Sequence, residues 1–434
     1  MLKSVATIES LDHEGRGVAH VGGKVIFIEG ALPGETVEYS SYRKRESFEQ
    51  ATTSRVIKAS AQRAVPRCKF FGTCGGCSMQ HAELGAQVAA KQRVMEEALK
   101  RIGKVQVGSI YPPIYGPGWG YRYRARISVR VVPRKGGVLI GFHEKKSSYI
   151  ADMTACEILP PHISDLLLPL RGLVVQLSVP ERMSQIEIAI GDDRTVLVLR
   201  NLVPFTLQDK VMLLGFGEQH GVCVWQQPGG PDTAQPLRAG ESEFLHYTLP
   251  EFDLSLKFRP TDFTQVNVHI NRLLIRRAMQ LLDPQPGERI ADLFCGLGNF
   301  TLPIARSGAA VIGVEGSAAL VQRAGENAAA NGLSENSEFF VSNLFEASPE
   351  SLQALGRLDK ILIDPPREGA IAVVKALDEN SPRRIVYVSC NPATLARDAA
   401  VLVHEKGYVM RGAGVANMFP HTSHVESIAL FERS

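Results

Sequence analysis

Five of the seven cysteines in this 434-residue chain fall into two patterns, each suited to a different chemistry. Cys68, Cys74 and Cys77 are spaced C-x5-C-x2-C, and Cys156 follows far downstream. Four thiolates satisfy either a zinc ion or an iron–sulfur cluster, and the spacing alone leaves both open. Gly72, Gly75 and Gly76 permit the tight backbone wrapping that a bulky group needs. Cys390 stands apart in Ser389-Cys390-Asn391-Pro392, directly after an apolar run. A thiol at a strand end becomes a candidate covalent nucleophile when that end faces a ligand pocket.

Two further motifs point to such a pocket. In Asp292-Leu293-Phe294-Cys295-Gly296-Leu297-Gly298-Asn299, two glycines let a ligand approach the backbone. Thr301 stands where a dinucleotide fingerprint has its third glycine, so NAD is the weaker reading. Glu315, ending the next strand, is placed for two hydrogen bonds to a ribose diol. In Asp364-Pro365-Pro366-Arg367, two rings without N–H hold the loop extended and rigid, which suits placing Asp364 beside two ligands.

The elements that carry these motifs follow from periodicity. From residue 263 onward the pattern alternates, with helices expected over 266–283, 299–307 and 320–331. Strands are expected over 289–294, 310–315, 360–363 and 385–389. This predicts a doubly wound, Rossmann-like α/β domain over 263–434 that binds ligands at the carboxyl ends of its strands. Residues 1–60 read as five short strands with glycine turns, a small β-barrel of the OB type. Arg43, Lys44 and Arg45 on its loop suit nucleic acid.

Residues 61–262 make a mixed α+β central domain that holds the clustered cysteines. Within it, Leu84, Val88, Met95, Leu99 and Ile102 recur at helical spacing before Gly103. Residues 121–130 alternate strictly, which predicts a strand with Tyr121, Tyr123, Ile127 and Val129 on one face. Arg122, Arg124, Arg126 and Arg130 fall on the other, strongly basic face.

The net charge of +3 hides an uneven distribution. Residues 41–67 carry seven Lys/Arg against two Glu, and residues 119–146 carry eight against one. Localised positive charge binds polyanions by releasing counterions, so a nucleic acid is the expected partner. No apolar run reaches the length of a signal peptide or a membrane span, which predicts a soluble, cytoplasmic protein with no membrane partner. Clustered cysteines in such a chain argue against a disulfide framework.

The motifs DLFCGLGNFT, DPPR and SCNP, followed by His424-Val425-Glu426, occur in the order seen in the RNA uracil-C5 methyltransferases. The segment FRPTDFTQVN, residues 258–267, also resembles that family's entry into its catalytic domain. The first sixty residues are similar to a TRAM domain, and Cys68, Cys74, Cys77 and Cys156 match the family's iron–sulfur cysteines. The resemblance covers nearly the whole chain and is nearest to the branch acting on 23S ribosomal RNA.

It implies S-adenosyl-L-methionine as methyl donor, a [4Fe–4S] cluster, and methylation of carbon 5 of a uridine; with all four sulfurs committed to ligation the cluster reads as structural, and the expected form is a monomer. It implies Cys390 as the nucleophile attacking C6 and Glu426 as the base. Gln265, Phe294, Asn299, Glu315, Asn343 and Asp364 match the family's cofactor positions. A transfer-RNA uracil methyltransferase shares the catalytic domain and is the nearest competitor; the barrel and the cysteine cluster stand against it. An iron–sulfur RNA-binding module with an inactive catalytic domain is the alternative from another class. The presence of Cys390, Glu426 and the cofactor positions argues against that one.

Overall fold

The computed structural model describes residues 4–135 and 137–433, organised around three sheets of six, six and seven strands and one short hairpin. The N-terminal sheet comprises Ser4–Thr7, Ser10–Leu11, Gly17–Val21, Lys24–Glu29, Thr36–Lys44 and Phe48–Lys58. Ile26, Ile28, Val37 and Tyr39 alternate inward along two of these strands and build a separate small core. The fifth strand runs longer than expected, so Arg43 and Lys44 lie at its exposed end rather than in a loop. No helix among the described residues is long and apolar enough to cross a membrane.

In the central sheet, Arg124–Val132 pairs with Gly137–Gly141 on one side and Met183–Ile190 on the other. Its two faces serve different neighbours. Ile186, Ile188, Leu197 and Leu199 pack on the domain's own helices, while Val196, Val198 and Trp225 join the core of the C-terminal domain.

The basic face expected here is corrected by the structure. The strand begins at Arg124, so residues 121–123 lie outside it. Arg124 is buried, its guanidinium donating to Glu187 Oε1 at 3.0 Å and to the Pro260 carbonyl. Glu187 pairs opposite Arg126 in the sheet register, and Arg126 reaches its second oxygen at 3.3 Å. Alternation along one strand cannot reveal an acidic residue on the next strand. Only Arg126 and Arg130 remain as exposed cations of this strand.

The C-terminal sheet has seven strands: β1 (Arg289–Leu293), β2 (Ala310–Glu315), β3 (Ser337–Val341), β4 (Lys360–Ile363), β5 (Arg384–Ser389), β6 (Val409–Ala416) and β7 (Glu426–Glu432). Their order is β3-β2-β1-β4-β5-β7-β6. The first five are parallel, and β7 runs antiparallel to both β5 and β6. The strand order reverses between β1 and β4, which opens a crevice above their carboxyl ends. Val268–Leu282 covers one face, burying Ile270, Leu274, Ile275, Ala278 and Leu282 at helical spacing.

Candidate active site

A cavity of about 830 Å³ occupies that crevice, with Gln265, Phe294, Asn299, Glu315, Asn343, Asp364, Cys390 and Glu426 all in its walls. Most of these positions follow from parallel strands ending at one edge: Phe294 follows β1, Glu315 ends β2, Asp364 follows β4 and Cys390 follows β5. Glu426 arrives by a different route. It opens β7, and because β7 is antiparallel, the start of this strand meets the end of β5, with Ser389 opposite Ser427. Cys390 and Glu426 are thereby neighbours, although 36 positions separate them in the chain.

The turn after β1 is shaped by its backbone. Phe294 adopts φ +67 without being glycine, a strained conformation of the kind that clusters at functional sites. Its ring meets Phe345 edge-on at 5.7 Å. Gly296, at φ +57, faces open space, so a ligand can approach the chain there. Glu315 steadies this turn, accepting from Gly296 N–H at 3.2 Å and Ser317 N–H at 3.0 Å. A carboxylate has about four lone-pair sites, so capacity for a diol remains. Asn299 is engaged differently, its amide paired with Asn271 by two bonds of 3.0 Å and also accepting from Tyr247. Asn343 uses its Oδ1 to cap the turn at Phe345.

The electrostatics are dominated by burial. Burial pushes Asp292 and Asp364 each up to about 7 and Glu426 well above the carboxylate range. Burial also pushes the Cys390 thiol up to about 12, with Glu426 and Asp364 reinforcing it and Arg367 opposing. Several carboxyls in one low-dielectric pocket resist ionising together. A positively charged ligand would relieve that repulsion.

Three participants escaped the sequence reading. Asp292 is buried in β1, accepting from the Thr301 hydroxyl at 2.5 Å, which explains a threonine at the fingerprint's third-glycine place. A lone carboxylate inside the apolar run of residues 290–293 was the signal that could have found it. Phe345 and Phe419 also line the cavity, and neither sits in a motif that marks it.

The clustered cysteines occupy a different setting. Cys68, Cys74, Cys77 and Cys156 share the walls of one small cavity of about 20 Å³, beside Phe70, Phe142 and Met153. Residues 66–81 carry only turns, bends and single bridges. The Cβ that Gly75 lacks would stand 3.1 Å from the His143 carbonyl, so the loop packs closely there because this residue is glycine. Burial pushes the Cys77 thiol up to about 11 and the Cys156 thiol up to about 12. Among the described residues, no group of three or more His, Cys, Asp or Glu is set as a ready site for a single metal ion.

Comparison with known proteins adds the lineage. Residues 241–434 match the family model described as tRNA (Uracil-5-)-methyltransferase, and residues 5–38 match that of the TRAM domain. Two curated proteins named 23S rRNA (uracil(1939)-C(5))-methyltransferase RlmD are similar over nearly full length. That of Aromatoleum aromaticum is 70% identical, covering 99% of this chain and 100% of its own. That of Azoarcus sp. (strain BH72) is 67% identical, covering 99% of each. Among solved structures, the Pyrococcus abyssi tRNA (uracil-54, C5)-methyltransferase, in complex with S-adenosyl-L-homocysteine, shares the fold. Its TM-score is 0.73 at 23% identity, over 99% of this chain and 100% of that one.

Proposed function

This chain belongs to the RNA uracil-C5 methyltransferase family, and we propose from that membership how its pocket works on 23S ribosomal RNA. The reaction is methylation of carbon 5 of a uridine, with S-adenosyl-L-methionine as donor. The observation that carries the mechanism is the meeting of Cys390 and Glu426 in one cavity with Asp364 and the glycine turn.

C5 of uracil is a poor nucleophile, and addition of the Cys390 thiolate to C6 converts the ring to an enolate rich in electrons at C5. Arg367 is the cation placed to favour that thiolate, against the surrounding carboxyls. The methyl donor supplies an electrophilic carbon to C5 when bound. Glu426 then removes the C5 proton, and the bond from C6 to Sγ breaks to restore Cys390. A base held above the ordinary carboxylate range by burial accepts that proton more readily. Gln265, Phe294, Asn299, Glu315, Asn343 and Asp364 form the donor's binding wall. Its excess of carboxyls suits a ligand that carries positive charge.

Cys68, Cys74, Cys77 and Cys156 we assign to a [4Fe–4S] cluster of structural role. Four soft donors converging on one cavity among apolar neighbours fit that group, and the family resemblance favours it over zinc. Protein purified without oxygen should carry iron and sulfide; stoichiometric zinc without iron overturns the assignment. We read the working form as a monomer in the cytoplasm.

Nucleoside mass spectrometry of ribosomal and transfer RNA, from cells with and without the protein, tests the reaction. Loss of one 5-methyluridine from 23S ribosomal RNA is expected. Loss from transfer RNA alone would reassign the substrate.

A further inference from the structure

The loop over residues 417–425 joins β6 to β7, carries Phe419 and His424 into the cavity, and delivers Glu426. The Thr422 N–H and hydroxyl donate to the Phe419 carbonyl within the loop, which shapes part of it. His421 sits at φ +65, a conformation disfavoured for a non-glycine residue. Further support for it comes from the other end of the chain. The helix Leu84–Ala98 buries Gln87, Val88, Lys91 and Met95 on one face, and two of these four are polar. Gln87 and Lys91 lie one turn apart, so their side chains point the same way.

Lys91 Nζ donates to Asn417 Oδ1 at 2.7 Å and to the Phe419 carbonyl at 2.8 Å, with its side chain only 2% exposed. Gln87 Oε1 accepts from His421 N–H at 2.7 Å, while its amide donates to the Met79 and Ala82 carbonyls. Around them, the N–H groups of Ser78 and Met79 both donate to the His421 carbonyl at 2.9 Å, and Tyr121 donates to the Pro420 carbonyl. Lys91 is buried with neutral acceptors and no carboxylate, and burial pushes it down to about 7. Burying a lone ammonium is costly in stability, so its presence calls for a reason other than packing.

We propose that Gln87 and Lys91 are positioning residues for the methyl-transfer site: they hold the 417–425 loop in the conformation that presents Glu426 to the C5 proton. The proposal deepens the mechanism above and rests on Glu426 being the base. It predicts a split between stability and catalysis. Lys91→Met keeps an unbranched side chain one atom shorter and removes the buried charge, so the unfolding midpoint should hold or rise. Its kcat should nevertheless fall by about tenfold or more, since small misplacements of a catalytic group cost that much. KM for the RNA fragment should stay within about twofold, because bound RNA is recruited elsewhere. Gln87→Leu should lower kcat in the same way.

The decisive measurement is a denaturing gel after single-turnover methylation of an RNA fragment, run with Lys91→Met, Gln87→Leu and Glu426→Gln side by side. Slowed proton removal should leave a methylated protein–RNA adduct in all three variants. If Glu426→Gln gives no adduct, the assignment of the base fails. If Glu426→Gln traps the adduct but Lys91→Met and Gln87→Leu turn over normally, the positioning role is overturned. It is equally overturned if those two variants lose activity only together with their unfolding midpoint, or if KM alone rises.

Discussion

The carboxyl edge of the C-terminal sheet and the cysteine loop each gather four or more reactive side chains around one cavity, but by opposite means. At the sheet edge, ladder hydrogen bonds fix where each strand ends, and the cavity of about 830 Å³ stands open before any ligand arrives. In the cysteine loop no regular element positions Cys68, Cys74 or Cys77, and the space between the thiols is about 20 Å³. A sheet can hold carboxyls together against their repulsion because the backbone carries the strain. A loop of turns gathers thiols around a metal, and metal binding is then part of folding. The first region should therefore lose stability for function, and the second should gain stability from its ligand.

Substitutions in each region put that contrast to the test. The largest effect is expected from Cys390→Ala, which should lower turnover by about four orders of magnitude or more while cofactor binding and unfolding stay near normal. Wild-type protein should be trapped covalently by RNA containing 5-fluorouridine, and this variant should not. Turnover close to wild type in Cys390→Ala would remove the nucleophile from the sheet edge.

Cys74→Ala should do the reverse. Iron content and visible absorbance should be lost and the unfolding midpoint should drop by roughly ten degrees, because a structural metal contributes directly to folding. Iron content and midpoint both unchanged would show that the loop stands without a ligand.

At the sheet edge, Asp364 should show the opposite sign. Its carboxyl is raised to about 7 in the folded protein, so the fold favours its protonated form. Its contribution to stability is fully present below about pH 4, where the unfolded carboxyl is also protonated, and is lost as pH rises from there through about 7. Without cofactor, wild type should thus unfold more easily at pH 8 than at pH 5. Asp364→Asn should raise the midpoint at pH 8 by about a few degrees, with a smaller gain at pH 5, while impairing methyl transfer. A lower midpoint at pH 8 would mean that Asp364 stabilises the fold, against the contrast drawn here.

The smallest effect belongs to the surface outside both regions. Replacing exposed Arg43 and Arg45 with alanine should weaken RNA binding and lower the salt slope of log K by about one unit for each phosphate no longer neutralised. An unchanged slope would leave these cations as solvated surface. Arg124→Ala is unsuitable for the same test, since that side chain is buried on Glu187 and Pro260.

The parallel strands of the catalytic sheet were legible in the chain because each is a short apolar run closed by a motif. β2 and β4 fall on the expected residues, 310–315 and 360–363. Cys68, Cys74 and Cys77 were legible as a group from their spacing, and the fold brings Cys156 to the same small cavity. Arg124 was misread for a physical reason: alternation places a side chain on a face and says nothing of what covers that face. The expected helix end at Gly103 was nearer the mark, with Leu84–Ala98 continuing into a wider turn through Gly103.

The chemistry of this protein is written in its local sequence: a thiol after one strand, a carboxylate after another, a glycine turn between them, and four thiols apart. Local hydrogen bonding and hydrophobic periodicity suffice to place such patterns on elements. That Glu426 stands beside Cys390 is a property of the assembled fold. It depends on β7 running antiparallel to β5, a pairing between distant segments that no local pattern encodes. The same holds for Lys91, which reads in the chain as one more helical cation. It becomes a buried clamp because the fold brings residue 91 against residues 417 and 419, and contacts at such separation are set by the packing of whole elements.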